Sequence, residues 1–417
     1  MSSLHTPAGC NQSRVLWSRI IYFTLGTLDT LVHFRHFSHF RHFSKRETRM
    51  LFDRRLLQHF DWILLVLLIL IGALSVVNLY SATYAIRDAG GAQIFVRQIY
   101  WFLIGFAVLL MMTTFDYHLL ERLAYPAYVV SLALLVLVLL VGRITSGSQR
   151  WLSLGGISFQ VSEMAKIVLV ITLAKYFSER GDYTESRLRD LWQPLLLIAI
   201  PCGLIVKEPD LGTALVLVVV SFTIILFTKV NWRSLLILSL PSLAAAPFIW
   251  FSLKAYQQKR ILTFLRPDMD PLGAGYHIIQ SKIAIGSGLF WGKGFLKGTQ
   301  TRLHFLPEQH TDFAFSVLAE EWGFVGAVFL LLLYLFLILW GIAIATNSKD
   351  RFGSIVAVGI VAIVFWQLVI NVCMATGLLP VVGIPLVLFS YGGSSLVSTM
   401  AGMGILMNIS MRRFMFQ

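Results

Sequence analysis

Trp62-Ile63-Leu64-Leu65-Val66-Leu67-Leu68-Ile69-Leu70-Ile71-Gly72-Ala73-Leu74-Ser75-Val76-Val77-Asn78-Leu79-Tyr80 carries no charged residue from end to end. A stretch of this length and apolarity matches the hydrocarbon core of a bilayer, about 30 Å thick. Similar runs recur along the chain at 98–115, 124–142, 162–178, 193–207, 211–229, 234–253, 313–344, 354–377 and 386–410. The reading is an all-α polytopic membrane protein of about ten transmembrane helices. Composition agrees: 57% of the 417 residues are hydrophobic and 13% charged, and mean hydropathy is +0.75. A soluble domain carries about 25% charged residues.

The formal charge of +13 fits basic cytoplasmic loops and contact with anionic membrane lipids better than nucleic acid, and no nucleic-acid partner is expected. Arg122, Arg180, Arg187, Arg189, Lys229, Arg233, Lys349, Arg351, Arg412 and Arg413 fall on one side of the alternating spans. That side is expected to be cytoplasmic, with both termini on it. Residues 254–311 then form a long extracytoplasmic loop, and long structured loops usually carry function. Within it, Tyr276-His277-Ile278-Ile279 and Ile283-Ala284-Ile285 read as an interfacial helix with Lys282 towards headgroups. Residues 1–49, with their His33–Phe43 run of His, Phe and Arg, read as a basic tail or a start-site extension rather than a metal site, because no carboxylate or Cys joins the histidines. The three cysteines, Cys10, Cys202 and Cys373, have no metal-ligand or disulfide spacing. No metal-ligating residues are assigned.

Polar clusters interrupt the apolar background at the ends of several spans. In Ser162-Glu163-Met164-Ala165-Lys166 the serine is placed to cap the fourth helix, and Glu163 and Lys166 share a face at i, i+3. A local ion pair is one reading; ionisable groups inside a membrane helix also default to function. In Glu208-Pro209-Asp210-Leu211-Gly212-Thr213 the aspartate reads equally as a helix N-cap. In Leu306-Pro307-Glu308-Gln309-His310-Thr311-Asp312-Phe313, Asp312 stands where aqueous loop meets apolar helix. It is either another N-cap or a carboxylate whose basicity is tuned by desolvation against nearby cations. Gly383 and the Gly392-Gly393 pair in the last polar stretch, with Asn371 before it, indicate bends and close packing at membrane depth.

These segments, taken in order, resemble the SEDS (shape, elongation, division, sporulation) family. The resemblance rests on Gln149-Arg150-Trp151-Leu152, Ser162-Glu163-x-x-Lys166, Pro209-Asp210-Leu211-Gly212-Thr213, and the runs Arg266–His277, Gln280–Gly288, Leu306–Phe313 and Ser390–Ser395. It covers roughly residues 60–412, leaving 50–417 as the family domain. Gly273–Lys282 is similar to the rod-shape (RodA) branch, whereas the division branch usually carries a Lys near Val381-Val382-Gly383. Val161 stands where the family commonly has Pro.

The resemblance implies a peptidoglycan glycan-strand polymerase of the inner membrane. It would transfer lipid II disaccharide units from undecaprenyl pyrophosphate during cell elongation, beside a class B penicillin-binding protein transpeptidase and the elongation machinery. Asp312 matches the essential loop carboxylate. Arg97, Arg150, Lys166 and Lys282 are the candidate cations for pyrophosphate, and Trp151, Glu163, Asp210, Glu308 and His310 complete the candidate substrate-binding set. A divalent cation, Mg or Mn, is compatible with a pyrophosphate leaving group, though no dedicated cage is legible. The competing reading is a lipid II flippase. It fits Glu163, Lys166 and Asn371, but the polar groups crowd the outer half and do not line a continuous path. A secondary transporter would show internal repeats, and none is convincing.

Overall fold

The computed structural model describes residues 60–84, 91–145, 148–154, 157–180, 191–228, 251, 255–266, 274–303, 305–306 and 308–413. The tail at 1–49, the expected span at 234–253 and the Pro267–Gly273 stretch of the family motif lie outside these residues. All the described elements belong to one unit, 54–417.

In chain order they are α1 (Trp62–Tyr84), α2 (Gly91–Thr114), α3 (Tyr117–Val141), β1 (Arg143–Thr145), β2 (Ser148–Leu154), β3 (Ile157–Gln160), α4 (Val161–Glu179), α5 (Trp192–Lys207) and α6 (Leu211–Phe227). After these come α7 (Ala255–Leu265), α8 (Ala274–Ser287), α9 (Thr299–Arg302), α10 (Ala314–Thr346), α11 (Arg351–Ala375) and α12 (Gly393–Arg412). Helices α1, α2, α3, α10, α11 and α12 are long and apolar enough to cross a membrane; α5 and α6 are shorter apolar helices. The chain is thus a multi-pass, helical membrane protein. Nine of the ten expected spans coincide with helices among the described residues; the count of ten itself is not established.

The apolar surface is distributed as a bilayer requires. Helices α1 to α3 expose Leu, Val, Ile and Phe side chains along most of their length, whereas α12 is 89% buried over its most apolar window and α11 is 72% buried. Water would make such an exterior untenable; lipid makes it the ordinary state. Helix α12 packs closely on α2 through small residues on both partners. A Cβ at Gly105 would lie 2.8 Å from Leu396, and one at Gly404 would lie 2.7 Å from the Leu109 carbonyl. Close backbone approach of this kind substitutes for the hydrophobic drive that lipid does not provide.

Three features depart from the sequence reading. The polar segment between α3 and α4 folds as a three-stranded antiparallel sheet in the order β1-β2-β3, with Trp151 opposite Gln160. The fourth helix is capped by Gln160 without a side-chain hydrogen bond, and the Ser162 hydroxyl is buried without a partner, so Ser162 is not the cap. The last span begins at Gly393, because 381–386 has no regular secondary structure and 387–391 turns and bends. This non-helical backbone is satisfied by side chains from four helices. Ser75 donates to Phe389 at 2.6 Å, Gln98 to Ser390 at 3.3 Å, Asn371 to Ile384 at 2.8 Å, and Tyr334 to Val387. Irregular backbone at membrane depth survives where protein supplies such partners.

The 33 residues of α10 would run about 50 Å as one helix, well over the roughly 30 Å of hydrocarbon. They do not form one helix: Gly323, at φ 66° and ψ −160°, breaks them. Before the break, Ala314 accepts from Asn78 at 3.0 Å and Glu321 from Ser81. These contacts are seven residues apart on α10 but three apart on α1, so the first segment runs obliquely. After the break, Trp340 reaches Asp61 at 3.0 Å, and the second segment runs antiparallel along α1.

Candidate functional site

Four segments converge at the loop end of the bundle. The first is β2, which presents Arg150. Its guanidinium donates to the Pro209 carbonyl at 2.9 Å and lies 3.6 Å from Asp210. The second is the corner between α5 and α6, where Asp210 caps α6 by accepting from the Thr213 amide at 3.2 Å. Asp210 also takes the Thr213 hydroxyl at 2.8 Å and Gln160 at 2.9 Å. The N-cap reading of Asp210 is correct, and every one of these bonds also fixes Arg150. Next to it, Glu208 is buried with both carboxylate oxygens unpartnered, and burial, with help from Asp210, pushes it up to about 8.

The third segment is 308–313. Gln309 is buried and donates to the Ala82 carbonyl at 2.7 Å, tying the segment to α1. The fourth is 371–395. Asn371, fully buried on α11, donates to the Asp312 carbonyl at 2.9 Å. The Tyr391 amide donates to the His310 carbonyl at 2.9 Å. Gly212 abuts Val382 and Ile384, and a Cβ on Gly383, at φ 73°, would stand 3.6 Å from the Asp312 carboxylate. The corner, the irregular segment 381–386 and Asp312 therefore form one contiguous wall.

Asp312 is not a helix cap: the cap position of α10 is Phe313, and it makes no side-chain cap bond. The carboxylate remains partly open to solvent. Burial raises it to about 6, with Glu308 adding to the rise and Arg260 and Arg150 opposing it. A carboxylate so placed is ionised at neutral pH yet basic enough to take a proton. His310, half-buried, is pushed towards its neutral form by burial, against the pull of Glu308. Glu308 is exposed and accepts from Thr311 at 3.0 Å.

The remaining candidates are placed as follows. Trp151 is half-buried on β2. Arg97 is exposed on α2, where its guanidinium takes Gln93 of the same helix as acceptor at 3.3 Å. Lys282 is on the exposed face of α8, its side chain over Gly377. Helix α8 packs one face on the bundle: Ile278, Ser281 and Ala284 are buried, and Ser281 bonds Ala375 at 2.6 Å and Ser316 at 2.7 Å, while Lys282 and Ile283 stay exposed. Glu163 and Lys166 are both buried and ion-paired at 2.9 Å, with Ser398 at 3.4 Å from Glu163. They line a small cavity between α4, α11 and α12 with Ile363, Thr399 and Met403, and Asp312 is not part of its lining. Arg260, on α7, joins the electrostatics of Asp312 although no motif had singled it out.

Comparison with known proteins places the chain. A family model described as cell cycle protein, of the FtsW, RodA and SpoVE type, matches residues 58–414. The chain belongs to this family. It is 41% identical over 358 residues to the peptidoglycan glycosyltransferase MrdB of Escherichia coli (strain K12), covering 86% of this chain and 95% of that protein. It is 31% identical over 426 residues to the peptidoglycan glycosyltransferase RodA of Treponema pallidum, covering 85% and 98%. Among solved structures, it resembles the rod shape determining protein RodA of Thermus thermophilus with a TM-score of 0.64 at 34% identity, covering 85% of this chain and 98% of that one. A chain from a study of polymerization and crosslinking by a peptidoglycan synthase complex matches with a TM-score of 0.74 at 36% identity, with the same coverage. The RodA-type resemblance read from the motifs is thereby established.

Proposed function

We infer that this chain is a peptidoglycan glycosyltransferase of the RodA type, acting in cell elongation, with Asp312 as its general base. The observation that carries the reading is Asp312 itself: a carboxylate raised to about 6, clamped through its backbone by Asn371 and facing the charge of Arg150 and Arg260. In the proposed reaction a hydroxyl of the acceptor sugar gives its proton to Asp312 as its oxygen bonds to the anomeric carbon of the lipid-linked donor. The bond from that carbon to the pyrophosphate oxygen breaks, and the electron pair leaves with the pyrophosphate. Attack opposite the leaving group inverts the anomeric centre. The leaving group needs positive charge more than a proton. Arg260 and Arg150 are the two cations that act on Asp312, and Arg150 is fixed by Pro209 and Asp210.

The substrate we propose is lipid II, and the partner a class B penicillin-binding protein. The E. coli and T. pallidum relatives are named peptidoglycan glycosyltransferases, and the TM-score 0.74 neighbour comes from work on a polymerizing and crosslinking complex. The proposed location is the bacterial inner membrane, termini inside and Asp312 outside, as the Lys and Arg distribution favours. A divalent cation, Mg or Mn, is a proposal for the pyrophosphate alone. Among the described residues no three His, Cys, Asp or Glu side chains gather as a cage, so substrate oxygens would be its main ligands. The test is purified protein with lipid II and no other polymerase. Glycan polymer is expected from the native chain and almost none from Asp312→Asn; lipid II translocation without polymer would favour the flippase reading instead.

A further inference from the structure

The turn after α8 exposes an unusual amount of apolar surface on a loop. Leu289 is 79% exposed, Phe290 54% and Trp291 77%. The turn is not loosely attached. The Leu289 and Phe290 carbonyls accept from the Phe324 and Val325 amides at 2.9 and 3.2 Å, at the point where α10 restarts after Gly323. A Cβ on Gly288 would meet the Ala319 carbonyl at 2.0 Å, and one on Gly292 the Glu321 carbonyl at 2.1 Å. Only glycine permits this seating, so the three apolar side chains are held outward at a fixed level.

What covers them follows from continuity. The Phe290 ring stacks on Phe324, centroids 5.9 Å apart. Phe324 adjoins Val325, which heads a row of exposed apolar side chains down the spanning part of α10, continued by Phe329, Leu332, Phe336 and Leu339 at helical spacing. In a membrane protein that row faces acyl chains, and the turn widens its top. Tryptophan is a residue of the membrane–water boundary. Arg302, exposed further along the same loop, is a long basic side chain that can reach lipid phosphates.

We propose that Leu289-Phe290-Trp291 is an interfacial anchor that inserts into the leaflet on the loop side of the membrane. It would fix the depth of the loop and of the first segment of α10, which begins two residues after Asp312. The benefit to catalysis rests on the reading above, since a lipid-linked pyrophosphate presents its reacting bond at a defined height. The anchoring does not rest on it.

The test uses the full chain with Cys10, Cys202 and Cys373 replaced by Ser and a bimane label on Trp291→Cys, reconstituted in phosphatidylethanolamine–phosphatidylglycerol vesicles. Lipids brominated near the headgroup should quench the label at least about threefold more than iodide in the water does. A label on Lys297→Cys should show the opposite order. A second label on Leu289→Cys repeats the measurement if the first variant folds poorly. Equal iodide quenching at 291 and 297 would overturn the anchor. So would lipid quenching that vanishes when a class B penicillin-binding protein is co-reconstituted, since the face would then be a protein dock. Because the readout is optical, it stands whether or not the chain polymerises lipid II.

Discussion

The Asn371 amide nitrogen donates at once to the Asp312 carbonyl at 2.9 Å and to the Ile384 carbonyl at 2.8 Å, joining the candidate base to the irregular segment 381–386. Both bonds are to backbone, so Asn371 sets the position of Asp312 without touching its carboxylate. Asn371→Leu keeps the volume and removes the clamp. Leaving two buried carbonyls unpaired costs about 1–3 kcal/mol each, and a base displaced by about 1 Å costs on the order of 10²-fold in rate. The expected outcome is a folded protein whose kcat for polymerisation falls at least tenfold while the pH profile keeps its shape. A shifted profile would place Asn371 in the electrostatics of Asp312.

The pH dependence of polymerisation should report Asp312 directly. The base is active only when ionised, so a value of about 6 puts the rising limb of kcat/KM near pH 6. Activity should be full by about pH 7 and fall roughly tenfold per unit below pH 5. Asp312→Asn should lose about 10²–10⁴-fold and show no such limb. A limb that persists in the variant belongs to another group.

Glu208 yields a stability prediction of definite sign. Its carboxyl is raised from 4.5 to about 8 in the folded protein, so between those values the folded state holds a proton that the unfolded state has lost. Stability must therefore fall as pH rises through this window. Glu208→Gln mimics the neutral acid, so its melting temperature in detergent should drop less between pH 5 and 8 than that of the native chain. Parallel declines in the two proteins would mean that Glu208 is ionised in the fold.

The Glu163–Lys166 pair predicts an asymmetry. Both groups are buried, so Lys166→Met or Glu163→Gln alone leaves a charge without its partner, at about 3–5 kcal/mol. The double variant removes both charges and should recover most of the thermal stability lost by either single change. Polymerisation by the stable double variant then separates packing from substrate binding: normal turnover would assign the pair to the bundle.

Sequence alone carried the spans well where apolarity is continuous, as in α1 and α11, because lipid imposes both length and composition. It failed where tertiary partners decide. The three strands at 143–160 are too short for an alternating pattern to stand out. The non-helical start of the last expected span depends on Ser75, Gln98, Tyr334 and Asn371, which come from four distant parts of the chain. The Glu163–Lys166 pair was legible from its i, i+3 spacing, but only packing reveals that it is buried between α4, α11 and α12, in a cavity that Asp312 does not line. Asp312 was legible as an acid at a boundary; the missing side-chain cap bond, which removes the cap reading, needed coordinates.

The break at Gly323 also governs which changes in length the protein can accept. Lys293 pairs with Glu320 at 2.7 Å, while the Lys293 and Gly294 amides bond the Glu320 and Glu321 carbonyls at 3.0 and 2.9 Å. Adding one residue to Ala314–Trp322 would turn everything beyond it by about 100°, taking the Glu320 carboxylate and the two carbonyls away from these donors. A residue added to Gly288–Gly294 would slide the loop past the same partners. Matching additions on the two sides would not restore the fit, because one side advances as a helix and the other as a turn. An engineer inserting a tag or a fused domain should find this stretch closed to it.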